Sequence, residues 1–151
     1  MEKSLKARAV DLLSRREYSR RELERRLAPH AESAEALAAV LDELAERNWQ
    51  SDARFAEQFA EARARKYGTR RVRLEMRERG VDAGLIDAAL SGHDDFPAAL
   101  AQWQKKFGQL PQSPEEKARQ IRFLATRGFG MDVIRRILRH AADDLPDDPS
   151  L

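Results

Sequence analysis

The segment MRERGVDAGLIDAAL, beginning at Met76, matches LATRGFGMDVIRRIL, beginning at Leu124, at a constant shift of 48 residues. Met76 falls on Leu124, Gly80 on Gly128, Val81 on Phe129, Ile86 on Ile134 and Leu90 on Leu138, and the same shift carries Phe55 to Trp103 and Phe59 to Phe107. A shift of 49 lays the first third of the chain on the second: Tyr18 on Tyr67, Leu23 on Val72, Leu27 on Met76, Leu37 on Ile86 and Leu41 on Leu90. In every copy ten residues separate one apolar marker from the next, 27 to 37, 76 to 86 and 124 to 134. Single apolar coincidences are common, but a spacing kept twice over is not, so the fold has to be a repeat.

Within each copy the apolar residues recur at helical intervals and are interrupted at Gly, Pro and Ser, with no sustained alternation of the strand kind. This predicts an all-α protein of about nine helices, arranged as three tandem three-helix repeats at 4–49, 51–92 and 94–141, with an acidic flexible tail at 142–151. A repeat of about 45 residues lies near the size at which a lone core fails, so neighbours should pack in a row, as an elongated array with room for curvature.

Local signals place several helix ends. Ser19 followed by Glu22 has the form of a capping box, and Ser113, Pro114 and Glu116 add a proline at the first helical position. Gly80 and Gly128 each follow an arginine at an expected helix end, where a left-handed residue closes the last turn. GQLPQSP at 108–114 replaces what the second repeat reads as helix continuing through Lys66, so the third repeat has a shorter first helix and a true loop. Gln120 stands where the repeat wants an apolar residue. The aromatics, Trp49 included, mostly read as core, with Tyr67 the candidate for an exposed base-stacking platform.

The net charge is only +2, but the charge is segregated. Arg63 to Arg79 holds eight basic residues against two acidic, and Lys105 to Arg139 nine against three. On a wheel of 70–79, Val72 and Met76 form the buried seam, while Arg71, Glu75, Glu78 and Arg79 make a mixed flank. Arg70, Arg73 and Arg77 share a sector with Leu74 and no acid. Basic groups in a first turn oppose the helix dipole at a cost of about 0.3 to 1 kcal/mol each, and an exposed Leu74 gains nothing from water. A partner bearing carboxylates or phosphates beside apolar surface accounts for both. The expected contact set is Arg63, Lys66, Arg70, Arg73, Leu74 and Arg77, with a second set at Lys117, Arg119 and Arg122. Arg135, Arg136 and Arg139 read as favourable helix-end charges, and Arg15, Arg16, Arg20, Arg21, Arg25 and Arg26 as partners of Glu17, Glu22 and Glu24.

Catalytic chemistry has no constellation here. Cysteine is absent, the three histidines are scattered, and neither a GxxxxGK[ST] phosphate loop nor a GxSxG elbow occurs. The adjacent pairs Asp94/Asp95, Asp143/Asp144 and Asp147/Asp148 do not converge on one helical face and read as caps and solubilising charge. The expectation is a non-enzyme with no catalytic residue, no cofactor, no metal and no small-molecule substrate. The longest apolar run, ALAAVL at 36–41, is far too short to span a bilayer, which points to a cytoplasmic protein without membrane contact.

The runs LLSRREYSRRELERRL, SDARFAEQFAEARARKYGTRRVRLEMRERGVDAGLIDAAL and KARQIRFLATRGFGMDVIRRIL together resemble the RecX regulatory proteins of bacteria. The resemblance spans the chain except for the tail and the connections APHAESAEA and GQLPQSP. It implies a non-enzymatic negative modulator of RecA, the recombinase that polymerises on single-stranded DNA, built from tandem three-helix units. Such proteins lie along the RecA filament and depress its ATPase, strand-exchange and repressor-cleavage (coprotease) activities. The expected partner is therefore the RecA filament, with single- or double-stranded DNA as the open second partner. The rival reading is a non-specific helical nucleic-acid-binding protein acting through its basic faces.

Overall fold

The structure, a computed structural model, describes residues 2–143. From residue 144 on, the expected acidic tail lies outside the described residues. The elements are α1 (Leu5–Leu13), α2 (Arg20–Leu27), a 3-10 turn (Ala28–His30), α3 (Ala34–Glu46), α4 (Asp52–Arg63), α5 (Thr69–Glu78), α6 (Ala83–Leu90), α7 (Phe96–Lys106), α8 (Pro114–Thr126) and α9 (Met131–Asp143). There is no strand among the described residues, and the fold is an all-helical repeat.

The predicted caps are present. Ser19 accepts from the Glu22 N–H while the Glu22 carboxylate accepts from the Ser19 N–H, a complete capping box. Ser113 accepts from the Glu116 N–H, with Pro114 opening α8. Gly80 and Gly128 take φ of +78° and +94°, the left-handed conformation their positions require. Pro29 lacks the N–H that a continuing α-helix needs, and α2 gives way there to the 3-10 turn.

Two expectations are corrected. Helix α4 does not run on through Lys66; it ends at Arg63, and residues 64–67 form a turn in which the Lys66 and Tyr67 N–H groups both donate to the Arg63 carbonyl. Trp49 is not core. It is 45% exposed, with the cationic groups of Lys6 and Arg47 5.5 and 5.2 Å from its ring centroid.

The chain forms two compact units, Met1–Ala60 with Glu75–Ser91, and Glu61–Leu74 with Gly92–Leu151. The first encloses a core of Ala9, Tyr18, Leu23, Leu27, Leu37, Leu41 and Leu44. The second encloses Ala98, Ala99, Trp103, Leu124, Phe129, Val133, Ile134 and Ile137. Most apolar markers of the repeat are core residues, Val72, Met76, Ile86 and Leu90 of the second copy being buried as well, which is why their spacing is kept.

Each unit also contains the same kind of junction. In the first, Ser19 Oγ donates to the Arg79 carbonyl at 2.7 Å, and the Arg20 N–H donates to Asp52 Oδ1 at 2.8 Å. In the second, the Gly68 N–H donates to the Arg127 carbonyl at 2.9 Å, and the Thr69 N–H donates to Asp95 Oδ2 at 3.1 Å. The shifts of 49 and 48 residues place Ser19 on Gly68 and Arg79 on Arg127, so one connection is made twice by different donors. The backbones approach so closely at the second junction that a Cβ on Gly68 would lie 2.2 Å from the Gly128 carbonyl oxygen.

Candidate partner-binding site

Helix α5 carries no acid in its first turn, the problem its sequence posed. The structure supplies one from 26 residues downstream: Asp95 Oδ2 accepts from both the Thr69 N–H, at 3.1 Å, and Thr69 Oγ1, at 3.0 Å. This carboxylate caps the helix and offsets the dipole beneath Arg70 and Arg71. The dipole therefore no longer argues for an outside anion, and exposed Leu74 is left to make the case.

Leu74 is 56% exposed. Arg70 and Arg77, one turn to either side of it on the same face of α5, are exposed and make no ion pair among the described residues. The Arg70 guanidinium reaches the start of α9, where a Cβ on Gly130 would lie 3.6 Å from its Nε and Nη2. Arg73 differs from its two neighbours in the predicted sector, being half-buried and engaged within the chain.

Lys66 is exposed in the turn after α4. Arg63 is half-buried, its guanidinium 4.3 Å from the Tyr67 ring centroid. Arg71 stacks on the same ring at 4.1 Å, and Arg127 lies 5.7 Å away. Tyr67 is thus half-buried with its ring already occupied by arginines, not an open platform on which a base could stack, and that expectation falls. In the second predicted set, Lys117, Arg119 and Arg122 are all exposed on α8 and make no ion pair among the described residues.

Elsewhere several arginines are occupied. Glu22 is shared by Arg16 at 3.4 Å and Arg79 at 3.7 Å, Glu17 holds Arg54 at 2.9 Å, and Arg20 reaches Asp42 at 2.7 Å. Arg136 lies 3.6 Å from Asp94 and 4.5 Å from the Phe96 ring centroid. Of the pairing expected around α2 only Arg16 with Glu22 is found among the described residues; Glu17 instead holds Arg54 of α4, Arg20 reaches Asp42 of α3 and Glu22 also meets Arg79 just past α5, while Arg15, Arg21, Arg25 and Arg26 make no ion pair there. Among the described residues no group of three or more His, Asp or Glu side chains could hold a metal ion, and no helix is long and apolar enough to cross a membrane.

Comparison with known proteins identifies the architecture. Residues 51–90 match the second three-helix domain of RecX and residues 93–138 the third. A curated relative, the regulatory protein RecX of Chromobacterium violaceum, is 63% identical over 142 residues, 94% of this chain and 93% of that protein. The chain belongs to the RecX family. The RecX of Neisseria meningitidis serogroup B is 46% identical over 144 residues, covering 95% of this chain and 94% of its own length. Among solved structures, RecX from Lactobacillus salivarius superimposes with a TM-score of 0.76 over 91% of this chain and 94% of that one, at 18% identity, which shows the shared RecX fold.

Proposed function

We propose that this RecX protein is a negative regulator of RecA that binds along the RecA–DNA filament and lowers its ATPase, strand-exchange and coprotease activities. Family membership supports a regulatory role, and the observation that carries the binding reading is Leu74, left in water on α5 between two arginines that make no ion pair among the described residues. An apolar side chain flanked by cations suits a protein surface rich in carboxylates better than a bare phosphate backbone, because only the former covers the leucine. The contact residues are Arg70, Leu74 and Arg77 with Lys66 nearby in sequence, and Lys117, Arg119 and Arg122 as a second set. The protein works without catalysis or cofactor, and the repeats at 4–49, 51–92 and 94–141 serve as its structural modules.

The deciding experiment is a pull-down against RecA with and without single-stranded DNA and nucleotide, followed by RecA ATPase measured across a salt series. Inhibition that persists at salt which abolishes binding to naked single-stranded DNA supports the filament reading. Should phosphate contacts dominate, log affinity falls with log salt at about 0.7 per phosphate neutralised with or without RecA, and the protein is a plain nucleic-acid binder.

A further inference from the structure

In both compact units the end of a middle helix is covered by a connector arriving from the preceding three helices. Over the end of α5, Ser19 Oγ donates to the Arg79 carbonyl, Arg21 lies against Gly80, and the incoming Glu17 and Glu22 reach Arg54 and Arg79. Over the end of α8, the Gly68 N–H donates to the Arg127 carbonyl and Arg71 lies against Gly128. The 49-residue shift places His30 on Arg79 and Ala31 on Gly80. At that third position, the end of α2 beside α1, the structure holds an open cleft of about 250 Å3.

The cleft has the chemistry of a place waiting for carboxylates. Arg8 of α1, Arg26 of α2 and His30 of the 3-10 turn line it, over an apolar lining of Leu12 and Leu27. Asp11 is the one carboxylate in the lining, and Lys3 is hydrogen-bonded to it. Among the described residues neither Arg8 nor Arg26 has a carboxylate partner; Arg26 lies only at the margin of the Tyr18 ring, 6.0 Å from its centroid.

We infer that this cleft docks an acidic peptide segment of a partner protein, which covers the end of α2 as the chain's own connectors cover the ends of α5 and α8. The covered end of α5 sets the pattern: its connector brings two carboxylates to two arginines and a hydroxyl to a backbone carbonyl. An acidic segment with apolar side chains among its carboxylates meets Arg8, Arg26 and His30 while covering the part-exposed Leu12. A nucleic-acid strand is the poorer fit, because Asp11 stands in the lining and strands follow extended cationic grooves.

The test is calorimetric titration of the full chain with three probes: the end-blocked peptide Glu-Glu-Leu-Ser-Glu-Glu, the same peptide with every Glu replaced by Gln, and a thymidine hexanucleotide. The acidic peptide should saturate a single site and the Gln peptide should not bind, while Arg8→Gln and Arg26→Gln should each weaken binding about three- to fivefold. Amide resonances of Arg8, Leu12, Leu27 and His30 in the unsubstituted protein should shift with the peptide, a readout that stands even where a variant melts early. Absence of saturable peptide binding, binding indifferent to both substitutions, shifts confined to other residues, or a hexanucleotide that outcompetes the peptide for the cleft would overturn the inference.

Discussion

The indole Nε1 of Trp103 donates a hydrogen bond to Gln120 Oε1 at 2.8 Å, inside the core of the second compact unit. Gln120 Nε2 in turn donates to the Gln109 carbonyl at 3.0 Å, so one amide, only 4% exposed, ties α7, α8 and the loop between them. The residue that broke the apolar pattern is thus a bracket for the loop that broke the repeat. Gln120→Leu should cost about 1–3 kcal/mol in urea unfolding, since it leaves a buried indole N–H and a carbonyl unsatisfied. Adding Trp103→Phe should recover part of that loss, and a double variant with no recovery would show that the hydrogen bond is not the cause.

The glycines of the second junction differ sharply from a glycine at an open turn. A Cβ on Gly128 would lie 2.4 Å from Arg71 Cβ, whereas one on Gly92, φ +73°, meets nothing within 4 Å. Gly92→Ala should therefore cost only the left-handed strain, about 1–2 kcal/mol. Gly128→Ala should cost clearly more, because the clash with Arg71 adds to the strain. Chemical denaturation of the two variants side by side gives the comparison, and equal losses would mean that the junction yields.

Charge reversal of the exposed arginines should separate function from folding. Arg70→Glu with Arg77→Glu should leave the unfolding free energy within about 0.5 kcal/mol and weaken the proposed RecA inhibition by about tenfold or more. Leu74→Ser should weaken inhibition without changing its salt dependence. Loss of folding in step with loss of inhibition would refute the assignment of this face.

Glu43 should titrate below its usual value near 4.5, chiefly because the Lys6 ammonium donates a hydrogen bond to its carboxylate, with the charges of Lys6 and Arg47 assisting. A depressed carboxylate stabilises the fold above its ordinary titration range and loses that contribution as pH falls through the lowered folded value. Carbon-detected NMR titration should find the Glu43 midpoint low in the parent protein. It should climb back toward 4.5 in Lys6→Met.

Much of the fold is legible in the residues. The spacing of Leu27, Met76 and Leu124 against Leu37, Ile86 and Ile134 gives the repeat, because a core position that must be apolar in each three-helix unit recurs at a fixed chain interval. Capping chemistry is legible for the same local reason: Ser19 and Glu22 satisfy groups three residues away. Trp49 was misread because apolar periodicity says which residues could be buried and not whether a neighbour arrives to bury them.

The candidate site was only half legible. Helical spacing put Arg70, Leu74 and Arg77 on one face, and no later contact pairs these arginines with a carboxylate among the described residues. It could not reveal that Arg73 is engaged within the chain, that Arg63 and Arg71 lie over the Tyr67 ring, or that Asp95 caps α5. No short-range pattern links residue 69 to residue 95.

Sequence alone thus determined the helical repeat, its core positions and its helix caps, since each depends on groups within a turn or two or on a fixed period. Tertiary structure decided which arginines are spent and which keep no carboxylate partner among the described residues. The free energy of a charged side chain depends on what lies within a few ångströms of it, and in a folded chain those neighbours come from any distance along the sequence.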